Sequence, residues 1–255
     1  VIFHSGGKTE VGRQALQRAR IEPEKGYISS KTELGSGKSR VLDGKVFTPI
    51  DAAACILSEV KSTVENLAKK WYPDDECSIE AVITHPAYFS QSMIDDTEKA
   101  GQMAGLKVKR LISEPMAAAL AYISDDEAND NTNKRLLAVD LGGGTFDLSL
   151  LQYDAANETY NAIDVGGDPH LGGDDFDKAV LDGFIDTILF ETNDKIDLSS
   201  EEKAKACGIG RSDYLKIIAS LRAEAEALKI ELSGNDVSSV QIDDLLTLPD
   251  GREYS

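Results

Sequence analysis

Leu136-Leu137-Ala138-Val139-Asp140-Leu141-Gly142-Gly143-Gly144-Thr145-Phe146-Asp147-Leu148 is the stretch that decides the fold of this chain. An apolar strand runs into an aspartate, three glycines and a threonine, and a second strand leaves at once with Asp147 at its start. Glycine has no β-carbon, so three in a row let the backbone turn tightly and bring its N–H groups within reach of an anion. Asp140 ends the first strand, where a hard cation or a metal-bound water could sit. Thr145 offers a hydroxyl to a phosphate oxygen. Strand, carboxylate, glycine turn and hydroxyl together read as a grip on nucleotide phosphates. The plainer reading of the same string is a glycine-rich hairpin.

The chain has 255 residues, enough for one large domain or two lobes with a core each. With 41% hydrophobic and 28% charged residues, it reads as a folded mixed α/β protein. The net charge of −18, without a basic stripe, argues against nucleic acid as a partner and against adsorption to anionic membranes. It leaves room for a polyanionic ligand, because local backbone amides, a lysine and a divalent metal overcome a mean field of the wrong sign. No apolar run approaches the length of a membrane span, and no signal peptide opens the chain. Cys55, Cys77 and Cys207 are odd in number and far apart. They suit a reducing, cytoplasmic setting as buried or half-buried thiols and lack the paired spacing of a zinc site. His4, His85 and His170 are scattered, and a turn hydrogen bond is the expected role of His170.

Working outward from the glycine turn, the upstream chain alternates strand and helix. Lys45-Val46-Phe47 reads as a short strand. Thr48-Pro49-Ile50-Asp51 then opens a helix with a cap, a first-turn proline and an acidic residue at the positive dipole end. Ile56, Val60, Val64, Leu67 and Trp71 recur at helical spacing and predict a buried stripe; Lys69, Lys70 and Pro73 mark the stop. A strand is expected over Ile79–Ile83, a helix over about Ser92–Ala104 closed by Gly105, a strand from Leu106, and an alanine-rich helix over Met116–Ile123. This order indicates a layered α/β unit. Ser124 to Lys134 is an acidic, asparagine-rich loop. Downstream, a strand is expected around Tyr160–Val165, then a helix from Asp174 with Phe176, Val180, Phe184 and Ile188 apolar. Next comes a helix over about Ser212–Leu232, with Leu215, Ile218, Leu221, Ala225, Leu228 and Leu232 inward, and a strand over Ser239–Ile242.

Six strings in order carry a resemblance: His85-Pro86-Ala87-Tyr88-Phe89, Ala104–Val108, Glu114-Pro115-Met116-Ala117-Ala118-Ala119-Leu120-Ala121-Tyr122, Asp140–Asp147, Gly167-Asp168-Pro169-His170-Leu171-Gly172-Gly173 and Lys229–Ser233. Together they resemble the nucleotide-binding domain of the 70 kDa heat-shock chaperones of the DnaK type, over nearly the whole chain. The resemblance implies an actin-like ATPase fold with a ribonuclease H-like motif and two lobes around a nucleotide cleft. The expected division is a first lobe over 1–123 (outer 1–78, inner 79–123), the acidic loop 124–134, and a second lobe over 135–255 (inner 135–192, outer 193–255). It implies ATP and ADP with magnesium as ligands.

By the same resemblance, Lys31 matches a catalytic lysine that orients the attacking water, and Glu114 a carboxylate near that water and the metal. Asp140 matches a metal-shell carboxylate acting through water. Gly142, Gly143, Gly144 and Thr145 match the phosphate loop, Thr145 with a catalytic part, and Asp147 an acid beside the phosphates. Gly172 and Gly173 fall at a second glycine turn on the nucleotide. Glu226, Lys229 and Ser233 match a nucleoside-contacting helix, and their spacing does place them along one helical face. Read alone, Lys31 is a solvated loop charge, Glu114 a helix N-terminal charge, Asp147 a strand residue, and the 226/229/233 face an ion-paired surface. The implied partners are extended peptide clients held by a further domain, a J-domain co-chaperone and a nucleotide-exchange factor.

The chain opens Val1-Ile2-Phe3-His4-Ser5 with no methionine, like the inside of a strand, so a fragment is expected. The family's earlier phosphate turn and its last adenosine-holding turn find no match here. The isolated 255-residue piece is therefore expected to bind ATP poorly; tight binding by calorimetry would contradict this. Ile94, Met116, Pro169 and His85 depart from the family's usual residues and touch the expected interlobe relay more than the phosphate chemistry.

Gly35-Ser36-Gly37-Lys38-Ser39 imitates a P-loop, but Thr32 stands where the motif needs its first glycine, and no helix pattern follows. Two other functions stay open: an actin-fold sugar or acetate kinase, and a non-hydrolysing interaction scaffold. Stimulation of hydrolysis by peptide, phosphorylation of a sugar, or neither would separate the three.

Overall fold

The computed structural model describes residues 1–73, 78–124, 133–157, 159–242, 245–247 and 253–254. It is a mixed α/β structure with several small sheets. Strands β1 (Ile2–Ser5), β2 (Lys8–Val11) and β3 (Gly26–Tyr27) form an antiparallel sheet in the order β2-β1-β3, with helix α1 (Gly12–Ile21) between β2 and β3. A hairpin follows, β4 (Arg40–Leu42) and β5 (Lys45–Phe47). Its loop residues Asp43 and Gly44 both have positive φ, 47° and 80°, as a two-residue I′ turn requires. Ile2, Tyr27, Leu42, Phe47 and Ala52 close one core over these strands, and Phe3, Ala15 and Ala19 a second beneath α1.

Helix α2 (Pro49–Trp71) starts as its sequence dictates: Thr48 Oγ1 accepts from Asp51 N (3.1 Å) while Thr48 N donates to Asp51 Oδ2 (2.8 Å). Its expected buried stripe is not buried. Only Pro49, Ala52 and Ala54 are buried, Ile56 is half-buried, and Val60, Val64, Leu67 and Trp71 are exposed. The helix outruns the cores beneath it; Ile56, Val60 and Val64 border a shallow groove of about 370 Å³ shared with Val1 and Val11. None of the candidate site residues lines that groove.

Strands β6 (Glu80–His85) and β7 (Lys107–Ser113) pair in parallel, joined through helix α3 (Gln91–Met103). Gly105 follows α3 at φ 74°, the left-handed residue expected after a helix C-terminus. Helix α4 (Glu114–Ser124) leaves directly from β7. Strands β8 (Lys134–Leu141), β9 (Phe146–Asp154) and β10 (Thr159–Asp168) form an antiparallel sheet in the order β10-β9-β8. Of the expected acidic loop, residues 125–132 lie outside the described residues, as does Cys77; Ser124 ends α4 and Lys134 begins β8.

Helices α5 (Gly173–Glu191), α6 (Glu201–Ala206) and α7 (Arg211–Leu232) share one core of Leu181, Ile185, Ile188, Ile196, Leu198, Ala204, Ile217, Leu221 and Ala225. The inward stripe expected on α7 is met at Leu221 and Ala225, with Ile218 packed against the core. In α5 the buried line runs 177, 181, 185, 188, with Val180 and Phe184 at its margin and Phe176 exposed. In α7 it runs 217, 221, 225, and Leu232 is exposed. The apolar residues outnumber the buried positions on both helices, and the neighbouring helix selects which line faces inward. Ser239–Ile242 forms no strand; Ile242 instead packs on the helical core. The chain ends with the short pair β11 (Leu246–Thr247) and β12 (Glu253–Tyr254). No helix of the described residues is long and apolar enough to cross a membrane.

Candidate functional site

Residues Gly142–Thr145 join β8 to β9 in a tight turn closed by Gly142 N donating to Thr145 O (2.9 Å). A second glycine turn, Gly172–Gly173, is locked onto the first. Gly173 N donates to Gly142 O (2.9 Å) and Asp174 N to Gly143 O (2.7 Å), so carbonyls of the first turn cap the N-terminus of α5. A β-carbon on Gly172 would lie 2.4–2.6 Å from Gly143 and Gly144 main-chain atoms, so only glycine permits this approach. Among the described residues, the N–H groups of Gly143 and Gly144 have no protein acceptor. Two unsatisfied amides in consecutive glycines are the arrangement that receives an anion.

Asp140 and Asp147 sit directly opposite each other across β8 and β9, which places both carboxylates on one face of the sheet. Asp147 is 1% exposed; its Oδ1 accepts from Tyr88 N (3.1 Å), while Oδ2 has no partner among the described residues. Asp140 is half-buried. Like charges directly opposite repel, and a buried carboxylate oxygen without a donor is costly. A hard cation, direct or through water, would answer both costs, so these residues fit a divalent metal. Among the described residues no group of three or more His, Cys, Asp or Glu side chains is gathered as a ready-made metal cage. Magnesium commonly keeps several waters and uses only one or two carboxylates.

Lys31 lies in a 3₁₀ turn, Ser30–Glu33, and donates Nζ to Glu114 Oε1 (2.8 Å) at the first residue of α4. Two residues 83 positions apart are thus an ion pair, with side chains 54% and 22% exposed. The turn is brought against the glycine loop by its next residue: Thr32 Cγ2 would stand 2.5 Å from a β-carbon on Gly144. Beside it, Ser29 Oγ donates to Asp174 Oδ2 (2.6 Å) in the first turn of α5. Lysine, carboxylate and glycine turn therefore meet in one place. Thr145 is buried at the base of the loop.

On α7, Lys229 reaches the second glycine turn, with Nζ 3.4 Å from Gly173 O and 2.6 Å from Asp177 Oδ1. Glu226 Oε2 accepts from Arg20 Nη2 (2.9 Å) on α1. Ser233 Oγ donates back to Lys229 O (3.2 Å), so its hydroxyl serves its own helix end. Of the three, only Lys229 is bonded to the glycine turns.

Thr32, Ser29, Asp177 and Arg20 meet the candidate residues or their chain neighbours without any local signal of a role there, and Tyr88 stands in a resembling string without a role of its own. Their partners are distant in sequence, as far as 206 positions for Arg20 and Glu226, and no periodicity encodes such approaches. His170 keeps to a turn, where its main-chain N–H donates to Asp168 Oδ1 (2.8 Å). A family model described as Hsp70 protein matches residues 6–255. The match spans the whole candidate site, and the chain belongs to the Hsp70 family.

Proposed function

We propose that this chain is the ATP-binding and ATP-hydrolysing part of an Hsp70-type chaperone, with an actin-like fold. Its two lobes would be 1–123 and 135–255, each with an inner and an outer part (79–123 and 1–78; 135–192 and 193–255), on either side of the loop 124–134. The observation that carries the reading is the interlocking of the Gly142–Thr145 and Gly172–Gly173 turns, which leaves two consecutive amides without acceptors among the described residues, beside Asp140 and Asp147.

Gly143 and Gly144 donate their N–H groups to phosphate oxygens, and Thr145 adds its hydroxyl. Lys229 supplies positive charge at the second turn, and Glu226 and Ser233 face the nucleoside. Asp140 would hold a magnesium ion, with water between them, and Asp147 and Glu114 would be its neighbouring carboxylates. When bound, that ion neutralises charge on the phosphates. Lys31 orients the attacking water and stabilises developing negative charge, and Glu114 keeps the lysine in place and accepts a hydrogen bond from that water. Such a site is a slow timer: the nucleotide state, not the product, is its output. That state gates peptide binding in a domain outside these residues, in the cytoplasm, with a J-domain co-chaperone and an exchange factor setting the two half-cycles.

Single-turnover hydrolysis of Mg·ATP by the full-length protein, with and without an extended peptide, tests the reading. Hydrolysis stimulated by peptide supports it. Transfer of the γ-phosphate to a sugar would favour the actin-fold kinase. Neither hydrolysis nor transfer would leave a scaffold.

A further inference from the structure

The turn that carries Lys31 is pinned by side chains that take no part in phosphate chemistry. Tyr27 in β3 is wholly buried and donates its hydroxyl to Glu33 Oε2 (2.5 Å). Arg40 in β4 donates Nη2 to Glu33 Oε1 (2.9 Å), and its guanidinium carbon lies 4.5 Å from the centroid of the Tyr27 ring. Two strands thus each hold one oxygen of the same carboxylate. Glu33 is the last residue of the 3₁₀ turn, and its main-chain oxygen accepts from Ser36 N (3.2 Å).

The other end of the turn is fixed as firmly. Ser29 has left-handed backbone, φ 54°, which a non-glycine residue adopts only at a cost. Thr32 N (3.2 Å) and Thr32 Oγ1 (2.9 Å) both donate to Ser29 O and hold that conformation. Immediately after, Gly35 N donates to Asp96 Oδ2 (2.8 Å) on α3. The segment from Ser29 to Gly35 is therefore bolted to two strands and two helices, and Lys31 is the residue it presents. A buried tyrosine hydroxyl and a carboxylate fill this space at greater desolvation cost than an apolar pair would. What they add is direction, since hydrogen bonds fix orientation and dispersion contacts do not.

We propose that Glu33, held by Tyr27 and Arg40, is a positioning residue for Lys31: it sets the rotation of the 3₁₀ turn so that the Lys31 ammonium meets Glu114. Lysine is a flexible four-carbon stem, and more than half of this one is exposed, so its placement depends on where the turn puts its Cα. The kinetic consequence rests on the ATPase reading above; the geometric one does not.

Tyr27→Phe removes one oxygen and keeps the ring, and Glu33→Gln keeps the shape and removes the charge. In both variants of the full-length protein kcat for ATP falls roughly three- to thirtyfold while KM stays within about twofold, and the double variant is no worse than the weaker single one. Independently, without nucleotide, acylation of Lys31 by an amine-reactive ester, read by peptide mass spectrometry, accelerates in both variants as the pair with Glu114 loosens. Wild-type acylation and wild-type kcat in Tyr27→Phe overturn the proposal. A lowered melting temperature with acylation and kcat unmoved overturns it equally, since the network is then structural only. If the unaltered full-length protein hydrolyses no ATP, the ATPase reading fails and acylation alone decides the role of Glu33.

Discussion

Thr32 Cγ2 stands 2.5 Å from the place a β-carbon on Gly144 would take. Thr32 is β-branched and stiff about χ1, so it cannot swing aside as a long side chain would. Gly144→Ala therefore overpacks the contact between the lysine turn and the glycine turn, at about 1–3 kcal/mol. In the full-length protein we expect weakened Mg·ADP binding by calorimetry in Gly144→Ala and recovery when Thr32→Ala is added. No recovery in the double variant would mean that Gly144 is needed for its backbone and not for the space beside Thr32.

Lys31→Ala and Glu114→Gln separate chemistry from binding. Neither residue belongs to the glycine turns, so nucleotide affinity changes only a few-fold. Single-turnover hydrolysis falls by about two to three orders of magnitude, the scale of removing one preorganised charge donor. Equal losses in affinity and rate would place Lys31 among the binding groups instead.

The helix starts and the glycine turn were legible because their causes are local. The Thr48–Asp51 box, the left-handed Gly105 and the Asp140 hairpin each depend on a few adjacent residues. The stripe Val60, Val64, Leu67, Trp71 was misread because periodicity reports an apolar face and not what covers it. The inner line of α7 is legible at Leu221 and Ala225 but not at Leu232, because the helix carries apolar residues on more than one line and packing chooses between them. The site shows the same division. Its glycines and carboxylates stand in recognisable strings, whereas the contacts Thr32–Gly144, Ser29–Asp174 and Arg20–Glu226 arise only when distant segments meet.

Asp140 and Asp147 face each other across two strands, and Asp147 Oδ2 lacks a donor among the described residues. Removing one charge relieves repulsion worth about 0.2–1 kcal/mol, so Asp140→Asn raises the melting temperature in chelator. In the full-length protein the same variant abolishes the rise that magnesium with ADP gives, which amounts to about 2.7 kcal/mol at a hundredfold excess over Kd. A variant that still responds to magnesium would remove Asp140 from the metal's surroundings.

The Tyr27–Glu33 pair gives opposite signatures at the two ends of the pH scale. Burial alone would raise the Glu33 carboxyl, but the Tyr27 hydroxyl and the Arg40 guanidinium outweigh it and hold it below its ordinary 4.5. A depressed folded-state pKa contributes stability above the unfolded value and loses it as pH falls through the folded one. The stability difference between the unaltered protein and Glu33→Gln therefore shrinks on acidification below about pH 4.5. Burial, then the bond and charge of Glu33, push the Tyr27 hydroxyl well above 10.0, so the folded state keeps it neutral while the unfolded chain ionises. Stability relative to Tyr27→Phe then drops as pH rises past about 10. Thermal melts across both windows check this, and parallel curves for all three proteins would refute it.

Arg20 and Glu226 pair at 2.9 Å with side chains 39% and 43% exposed, joining α1 to α7. An exposed pair of this kind is worth at most about 1 kcal/mol, and salt screens it. A double-mutant cycle on Arg20→Ala and Glu226→Ala should give a coupling of that size at low ionic strength, vanishing near 1 M salt. If Glu226 also faces the nucleoside, Arg20 spans the rim through which nucleotide must pass. Release of a fluorescent ADP analogue then quickens up to about fivefold in Arg20→Ala, and added salt speeds the unaltered protein towards the variant's rate. Release that ignores both Arg20 and salt would confine the pair to holding two helices together.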